Sequence, residues 1–252
     1  MLSGWARDWQ LEISIPKCFI FDVSHSLNTL DFEAINIDGL DLECVSELKD
    51  LGVILDTRLK FSPHISQMVA RAKQRLSLLF RSFQSREIVP MLCAFKSYIL
   101  PLVSYCSTVW SPSLFGDICA IESVQRLFTR KLTDMKDLPY ISRLAALNLP
   151  TLELRRMRAD LTMCFKILNG HVAGTPENFR LTLTGAGMRG HPKKLFVRHS
   201  RIDARKNFFG SRVVLPWNSL PRSIVNSESV HSFKKGLLNW EGLNKFLKQN
   251  LG

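Results

Sequence analysis

Residues 62–83 place the strongest constraint on the fold, because their apolar side chains recur at alternating intervals of three and four residues. Ser62 and Pro63 open the pattern as an N-cap serine and a proline at the first helical position. This spacing predicts an amphipathic helix of about five turns with one apolar stripe. The stripe consists of Ile65, Met68, Val69, Ala72, Leu76, Leu79, Phe80 and Phe83.

The rest of the chain after residue 60 is also mainly helical in pattern. Predicted helices cover about 87–108, bending at Pro101, and about 114–133, with Ile118, Ile121, Val124 and Phe128 inside. A short helix runs from Pro139 to Ala146, and a long one from Pro150-Thr151 to Asn169-Gly170. Residues 170–204 are punctuated by glycine and proline and predict a basic loop, and residues 232–247 predict a final amphipathic helix.

The first sixty residues have a different character. The end of an amphipathic helix carries Trp5 and Trp9, and Cys18–Val23 predicts a short strand. A hairpin turns at Asp38-Gly39, and Leu48–Leu55 predicts a further strand. The predicted fold is therefore α+β and mainly α: a small antiparallel β part at 1–60, a helical bundle at 61–170, and a mixed loop and helix region at 171–252.

The net charge also changes near residue 60. The chain carries a net charge of +12, but residues 1–60 hold five Lys/Arg against eleven Asp/Glu, a net of −6. The remaining residues hold 29 basic and 11 acidic side chains, a net of +18. This asymmetry indicates a nucleic-acid or anionic partner for the second part, with a well-solvated basic surface as the alternative.

The basic side chains concentrate on single helices and in one loop, which favours a phosphate backbone as partner. Two alternatives stay open. Arg130, at the end of its helix, also suits the helix dipole, and the arginines that begin the 150–170 helix oppose the dipole, which either a bound anion or buried acidic partners would explain. The predicted nucleic-acid-binding residues are Arg71, Lys73, Arg75, Arg126, Arg130, Arg155, Arg156, Arg158, Lys193 and Lys194.

The sequence contains no pattern for catalysis or metal binding. It has no Asp-Asp pair, phosphate-binding loop or nucleophile elbow, and its six cysteines lack zinc-site spacing and are expected to be buried free thiols. His64, near an exposed helix start, and His191, in the basic loop, have no convincing partners. Trp110, Phe208, Phe209 and Trp217 are interpreted as core residues ahead of base-stacking platforms. We therefore predict no catalytic residue, no metal and no cofactor.

A signal peptide and a membrane span are not expected. The first eight residues lack an apolar segment, and the uncharged stretch 97–116 contains two prolines and six serine or threonine side chains. A buried helix with a proline break fits this stretch better than a membrane span. The expected localisation is nuclear or cytoplasmic, without a membrane partner.

Several short motifs in order resemble non-LTR (LINE-type, jockey-like) retrotransposon reverse transcriptases from about residue 5 to residue 240. The segments similar to the end of the palm and the thumb entrance are Trp9–Leu11, Lys17-Cys18, Leu51–Asp56 and Leu59–Ile65. Those similar to the carboxy-terminal region are Tyr105–Pro112, Ile121–Arg126, Leu152–Arg156, Arg189–Leu195, Phe208-Phe209 and Trp217–Pro221.

The resemblance implies the last portion of a multidomain RNA-directed DNA polymerase: a palm remnant, a thumb and a carboxy-terminal domain, without the catalytic aspartates. Magnesium is implied only for the intact parent enzyme. A truncated fragment of this kind is expected to bind RNA template and DNA primer but to be inactive alone. Three alternatives stay open: polymerase activity when complemented by another chain, such as the missing palm and fingers portion, a host-retained interaction module, and a relic without function.

Overall fold

The fold is α+β and mainly α, as the sequence predicts. The computed structural model describes residues 2–23, 36–37, 39–185 and 190–248. The chain divides into two compact units, residues 1–64 and 65–252. Asp38 of the predicted turn and Arg189 of the basic loop lie outside the described residues.

Among its described residues, the first unit contains a short α-helix, a 3-10 helix (Ile15–Lys17) and three small two-stranded sheets. The ring of Trp5, in the α-helix, lies 6.5 Å from that of Trp9, which follows the helix. The second strand pairs antiparallel with the third, as predicted, but the first pairs in parallel with the fourth, with Phe19 opposite Glu43. The elements are α1 (Leu2–Asp8), β1 (Phe19–Ile20), β2 (Asn36–Ile37), β3 (Leu40–Asp41), β4 (Glu43–Cys44), β5 (Glu47–Asp50) and β6 (Val53–Asp56).

The single strand predicted at Leu48–Leu55 is wrong, because this segment folds back on itself as the β5–β6 hairpin. Leu48 and Leu55 face each other across that hairpin. Leu51 and Gly52 form its two-residue turn with φ values of 44° and 89°. Two consecutive positive φ values match the twist of paired strands and reverse the chain.

The second unit is helical. Helix α2 (Ser62–Ser82) buries the predicted stripe from Ile65 to Phe80, while Phe83 lies beyond the helix and is 41% exposed. The other helices are α3 (Ile88–Ala94), α4 (Ser107–Trp110), α5 (Phe115–Arg130), α6 (Tyr140–Ala146), α7 (Leu152–Leu168), α8 (Asp203–Asn207), α9 (Phe209–Arg212), α10 (Val214–Asn218), α11 (Arg222–Val225) and α12 (Val230–Leu238).

The helix predicted over 87–108 is interrupted, as the proline suggested. After α3 the chain forms a π-helical segment, Phe95–Ile99, and then turns through Pro101 before α4 begins. Proline lacks the amide hydrogen that a continuous helix needs there. Phe95 from the π-helical segment stacks on Phe128 of α5 with ring centroids 4.1 Å apart. Among the described residues, no helix combines the length and apolarity that crossing a bilayer requires.

A core around Trp217 joins α7 to the carboxy-terminal helices. It therefore contains residues from both sides of residue 170, where the sequence predicts the helical bundle to end. Trp217 and Phe233 are completely buried with Phe165 of α7, and the Phe165 and Phe233 rings stack at 4.3 Å. The single helix predicted over 232–247 is wrong. Helix α12 ends at Leu238, Trp240 adopts an extended backbone, and a 3-10 helix, Glu241–Phe246, follows.

Gly210 tests the packing of this core. A β-carbon at Gly210 would lie 2.1 Å from the carbonyl oxygen of Phe179, which is backbone and cannot rotate away. We expect Gly210→Ala to lower the free energy of unfolding by roughly 1–3 kcal/mol or more, since overpacking forces the backbone to shift. Urea unfolding followed by circular dichroism measures the change.

Gly116→Ala is the matched control, because nothing lies within 4 Å of its new methyl group. Its stability should be unchanged or slightly higher, since alanine favours a helix over glycine. Equal midpoints for the two variants would contradict the packing at Gly210.

Candidate nucleic-acid interface

Helix α2 presents an exposed basic surface. Arg71, Lys73 and Arg75 are exposed, and residues 62–82 contain no acidic side chain. At about 100° per residue, Arg71 and Arg75 share one side of the helix, and Lys73 lies roughly 160° from either. Within the described part of the chain, none of the three forms an ion pair. The surface therefore offers two neighbouring guanidinium groups and a separate ammonium group.

An exposed aromatic side chain accompanies the α2 arginines. The Nη1 of Arg75 lies 3.5 Å from the carbonyl oxygen of Tyr98, to which it donates a hydrogen bond. The Tyr98 side chain, from the π-helical segment, is 67% exposed. Nothing in the sequence pattern singles out Tyr98, because the π-helical segment that carries it was not predicted.

A second group of arginines forms around Tyr140, where α5 meets α6. We call Arg126, Arg130 and Arg143 the Tyr140 arginine cluster. The guanidinium carbons of Arg126 and Arg143 lie 4.8 Å and 5.4 Å from the centre of the Tyr140 ring. Nη1 of Arg143 donates to the carbonyl oxygen of Arg126 at 3.1 Å. Cation–π contacts and this hydrogen bond hold the arginines close together.

The three cations of this cluster repel one another, and this repulsion contributes to the pKa of Arg143. Burial lowers the pKa of Arg143, Tyr140 opposes that effect, and repulsion from Arg130 and Arg126 lowers the pKa further. Arg126 and Arg130 were predicted from the sequence, but Arg143, which is mostly buried in a different helix, was not. Its only sequence signal was its position three residues after Tyr140.

Hydrogen bonds lock the Tyr140 ring in place. Its hydroxyl donates to Oε1 of Glu122 and accepts from Nε2 of Gln125 at 3.2 Å. Oε2 of Glu122 accepts from the amide of Leu152 at 2.9 Å, so both carboxylate oxygens have protein donors. Burial, and then the interaction with Glu122, raises the pKa of Tyr140, so the phenol stays protonated.

The arginines of α7 have different surroundings. Arg156 is 4% exposed and interacts electrostatically with Glu122, Glu153 and Asp160, which are the buried acidic partners that the sequence left open. Arg155 is exposed. Arg158 is partly buried, and its Nη2 donates to the carbonyl oxygen of Leu238 at 3.3 Å.

An ion pair that the sequence analysis missed fixes α9 to α7. Nε and Nη2 of Arg212 donate to the two carboxylate oxygens of Asp160 at 2.8 Å and 3.0 Å, and Nη2 also donates to the carbonyl oxygen of Thr108 at 2.6 Å. The partners are 52 residues apart in sequence, so no local pattern could indicate the pair. Arg212 is therefore a structural residue.

The basic loop is tied to the Trp217 core. Nζ of Lys193 donates to Oδ1 of Asn169 at 2.5 Å, and the Lys193 carbonyl oxygen accepts from Nε1 of Trp217 at 2.7 Å. Lys193 and Lys194 are both partly buried. His191 is buried rather than at the surface, and its Nε2 donates to the carbonyl oxygen of Trp217 at 3.1 Å.

The structure also tests the predicted exposure of His64, of four aromatic side chains and of the cysteines. His64 was expected near an exposed helix start, but it is buried, and its Nδ1 accepts from the amide of Ile54. Trp110, Phe209 and Trp217 are buried as core residues, whereas Phe208 is 45% exposed. All six cysteines are free thiols, but only Cys164 is buried as expected: Cys44 and Cys93 are exposed, and Cys18, Cys106 and Cys119 are partly buried. The described residues contain no His, Cys, Asp and Glu group able to hold a metal ion.

Comparisons with known proteins show what about half of the chain is similar to. The chain is 29% identical over 143 residues to a protein of Drosophila melanogaster named as a probable RNA-directed DNA polymerase from transposon BS, covering 53% of this chain and 15% of that protein. It is 25% identical over 134 residues to the corresponding protein named for transposon X-element, covering 52% and 14%. The chain is related to transposon RNA-directed DNA polymerases.

The remaining comparisons give less information about function. An uncharacterized protein of Caenorhabditis elegans is 23% identical over 128 residues, which is 50% of this chain and 65% of that protein. No protein-family model matches the chain, and no solved structure matches it. The matching part covers only about a seventh of each transposon polymerase, so the activity of those whole proteins does not transfer directly to this chain.

Removing the Tyr140 hydroxyl tests the buried contacts below the arginine cluster. Tyr140→Phe leaves Oε1 of Glu122 buried without its donor, so we expect the free energy of unfolding to fall by about 1–3 kcal/mol. Denaturant unfolding measures the loss. Tyr98→Phe, which removes an exposed hydroxyl, should leave stability unchanged, and equal stability of the two variants would contradict the role of the Glu122 contact.

Proposed function

We propose that this chain is a non-catalytic part of a non-LTR, jockey-like retrotransposon reverse transcriptase, and that residues 65–252 bind the phosphate backbone of RNA and DNA. The similarity to two transposon RNA-directed DNA polymerases supports the relation. The absence of an Asp-Asp pair from the sequence supports binding without primer extension, since nucleotidyl transfer needs carboxylates that hold two metal ions.

The observation that carries this proposal is the exposed, uncompensated basic surface of α2. Arg71 and Arg75 project from a helix without carboxylates, beside an exposed tyrosine. Phosphate neutralisation by arginine releases condensed counterions, and an aromatic ring can stack on an unpaired base. The net charge of +18 on the chain after residue 60 also attracts a nucleic acid, and it does so at longer range.

Filter binding of a single-stranded RNA at increasing salt concentrations tests the proposal. The logarithm of the association constant should fall linearly with the logarithm of salt concentration, and Arg71→Gln/Arg75→Gln should make that slope shallower by about 1.4, at about 0.7 per lost contact. A primer–template with magnesium or manganese should be bound but not extended.

Arg205→Gln/Arg222→Gln is the matched control, since it removes the same charge from two exposed arginines on α8 and α11. Its slope should stay close to that of the wild type. Absence of RNA and DNA binding at about 50 mM salt, or equal slopes for the two double variants, would refute the proposed α2 interface.

A second candidate function, protein interaction through the first unit, is favoured by one observation. Trp5 in α1 and Trp9 just after it are 55% and 67% exposed, with Leu11 also exposed beside them in sequence. Contiguous exposed aromatic side chains are typical of protein-binding surfaces.

Light scattering of the purified chain tests this second function. Trp5→Gln/Trp9→Gln should reduce concentration-dependent association, because it removes the apolar surface that drives it. Val23→Gln/Leu40→Gln removes other exposed apolar side chains of the same unit and should have a smaller effect. Equal effects of the two pairs would argue against a specific tryptophan surface.

A further inference from the structure

Arg143 is a buried cation whose hydrogen-bonding capacity is only partly used. Its side chain belongs to α6 and the residue is 7% exposed. Nη1 donates to the carbonyl oxygen of Arg126, but Nε is buried without a hydrogen-bond partner among the described residues. A buried guanidinium group without its partners is costly, so its position calls for a further acceptor.

Two more guanidinium groups converge on the same place. Arg126 lies against the same tyrosine ring as Arg143, and Arg130 follows Arg126 by one helical turn on the same side of α5. Within the described residues, no carboxylate lies within ion-pairing distance of any of the three. Like charges held this close repel one another unless an anion joins them.

Glu122, the acidic group that holds the Tyr140 ring, is already engaged. Both of its oxygens accept hydrogen bonds, from Tyr140 and from the amide of Leu152, and it also interacts electrostatically with the buried Arg156 and with Arg126. Glu122 holds the ring against which the arginines pack, but it forms no hydrogen bond with Nε of Arg143. Because this carboxylate is shared between Arg156 and Arg126, the three converging arginines retain an excess of positive charge that favours an anion.

We propose that Arg126, Arg130 and Arg143 form a binding site for a single phosphate group at the junction of α5 and α6. Arginine suits this ligand, because its planar set of donors matches two phosphate oxygens at once. The locked Tyr140 ring orients two of the three guanidinium groups before the ligand arrives, which reduces the entropy lost on binding. The phosphate is either a free anion or part of a nucleic-acid strand, and only the second source rests on the proposed function.

Isothermal titration with inorganic phosphate tests the site directly. Wild-type protein should bind phosphate, and Arg126→Gln/Arg130→Gln should weaken binding about tenfold or more, since hydrogen bonds to charged groups are lost. Both arginines are exposed, so this variant should fold. Arg205→Gln/Arg222→Gln should bind phosphate as the wild type does. Absence of binding by the wild type, or equal binding by both variants, would overturn the proposal.

Arg143→Lys provides a second, independent variant, because it keeps the charge but removes the planar donors. It should weaken phosphate binding severalfold while its circular dichroism spectrum stays that of the wild type. The competing explanation is that Arg130 only stabilises the end of α5 through the helix dipole. In that case Arg126→Gln/Arg130→Gln would lower the melting temperature equally with and without phosphate, and the proposal would be wrong.

Oligonucleotides separate the two sources of phosphate. If the site takes a strand phosphate, inorganic phosphate should displace a bound RNA from the wild type more readily than from Arg126→Gln/Arg130→Gln. If inorganic phosphate binds but does not displace RNA in this way, the site binds a free anion and not a strand phosphate. RNA binding that persists while inorganic phosphate fails to bind would overturn the site but leave the proposed function intact.

Discussion

The burial of the Glu122 carboxylate is the constraint on which the helical unit depends. A carboxylate removed from water costs several kcal/mol unless donors and cations surround it. Three elements supply them: the Tyr140 hydroxyl from α6, the Leu152 amide at the start of α7, and the nearby charge of Arg156 one turn later. The positions of α5, α6 and α7 are therefore tied together by one acidic side chain.

The Glu122 carboxylate also connects the structure to the proposed function. Because Glu122 and Gln125 fix the Tyr140 ring, the arginines that pack on it are fixed as well. In α7, Arg156 is buried close to Glu122, Glu153 and Asp160, and Arg212 of α9 forms an ion pair with Asp160. Arg156 and Arg212 thus hold helices together, whereas the exposed Arg126 and Arg130 and the buried Arg143 form the proposed anion site.

Much of the fold could be predicted because helix periodicity is a local property. The buried stripe of α2, the inward residues of α5, the N-cap Thr151 and the end of α7 at Asn169 all follow from spacing and capping chemistry. The errors occurred where local signals were weak. Leucine at a positive-φ turn position concealed the β5–β6 hairpin, and Trp240 showed no sign of the extended backbone that follows α12.

The candidate site was predicted only in outline. Arg71, Arg75, Arg126 and Arg130 were identified from charge on helix faces, whereas Arg143 and Tyr98 were not, because each becomes relevant only through a hydrogen-bond partner distant in sequence. The sequence by itself determined the mainly helical fold class, the basic second part and the absence of an aspartate pair, since composition and periodicity need no tertiary information. Only the tertiary structure decided which arginines are buried, because burial depends on the partners that folding brings together.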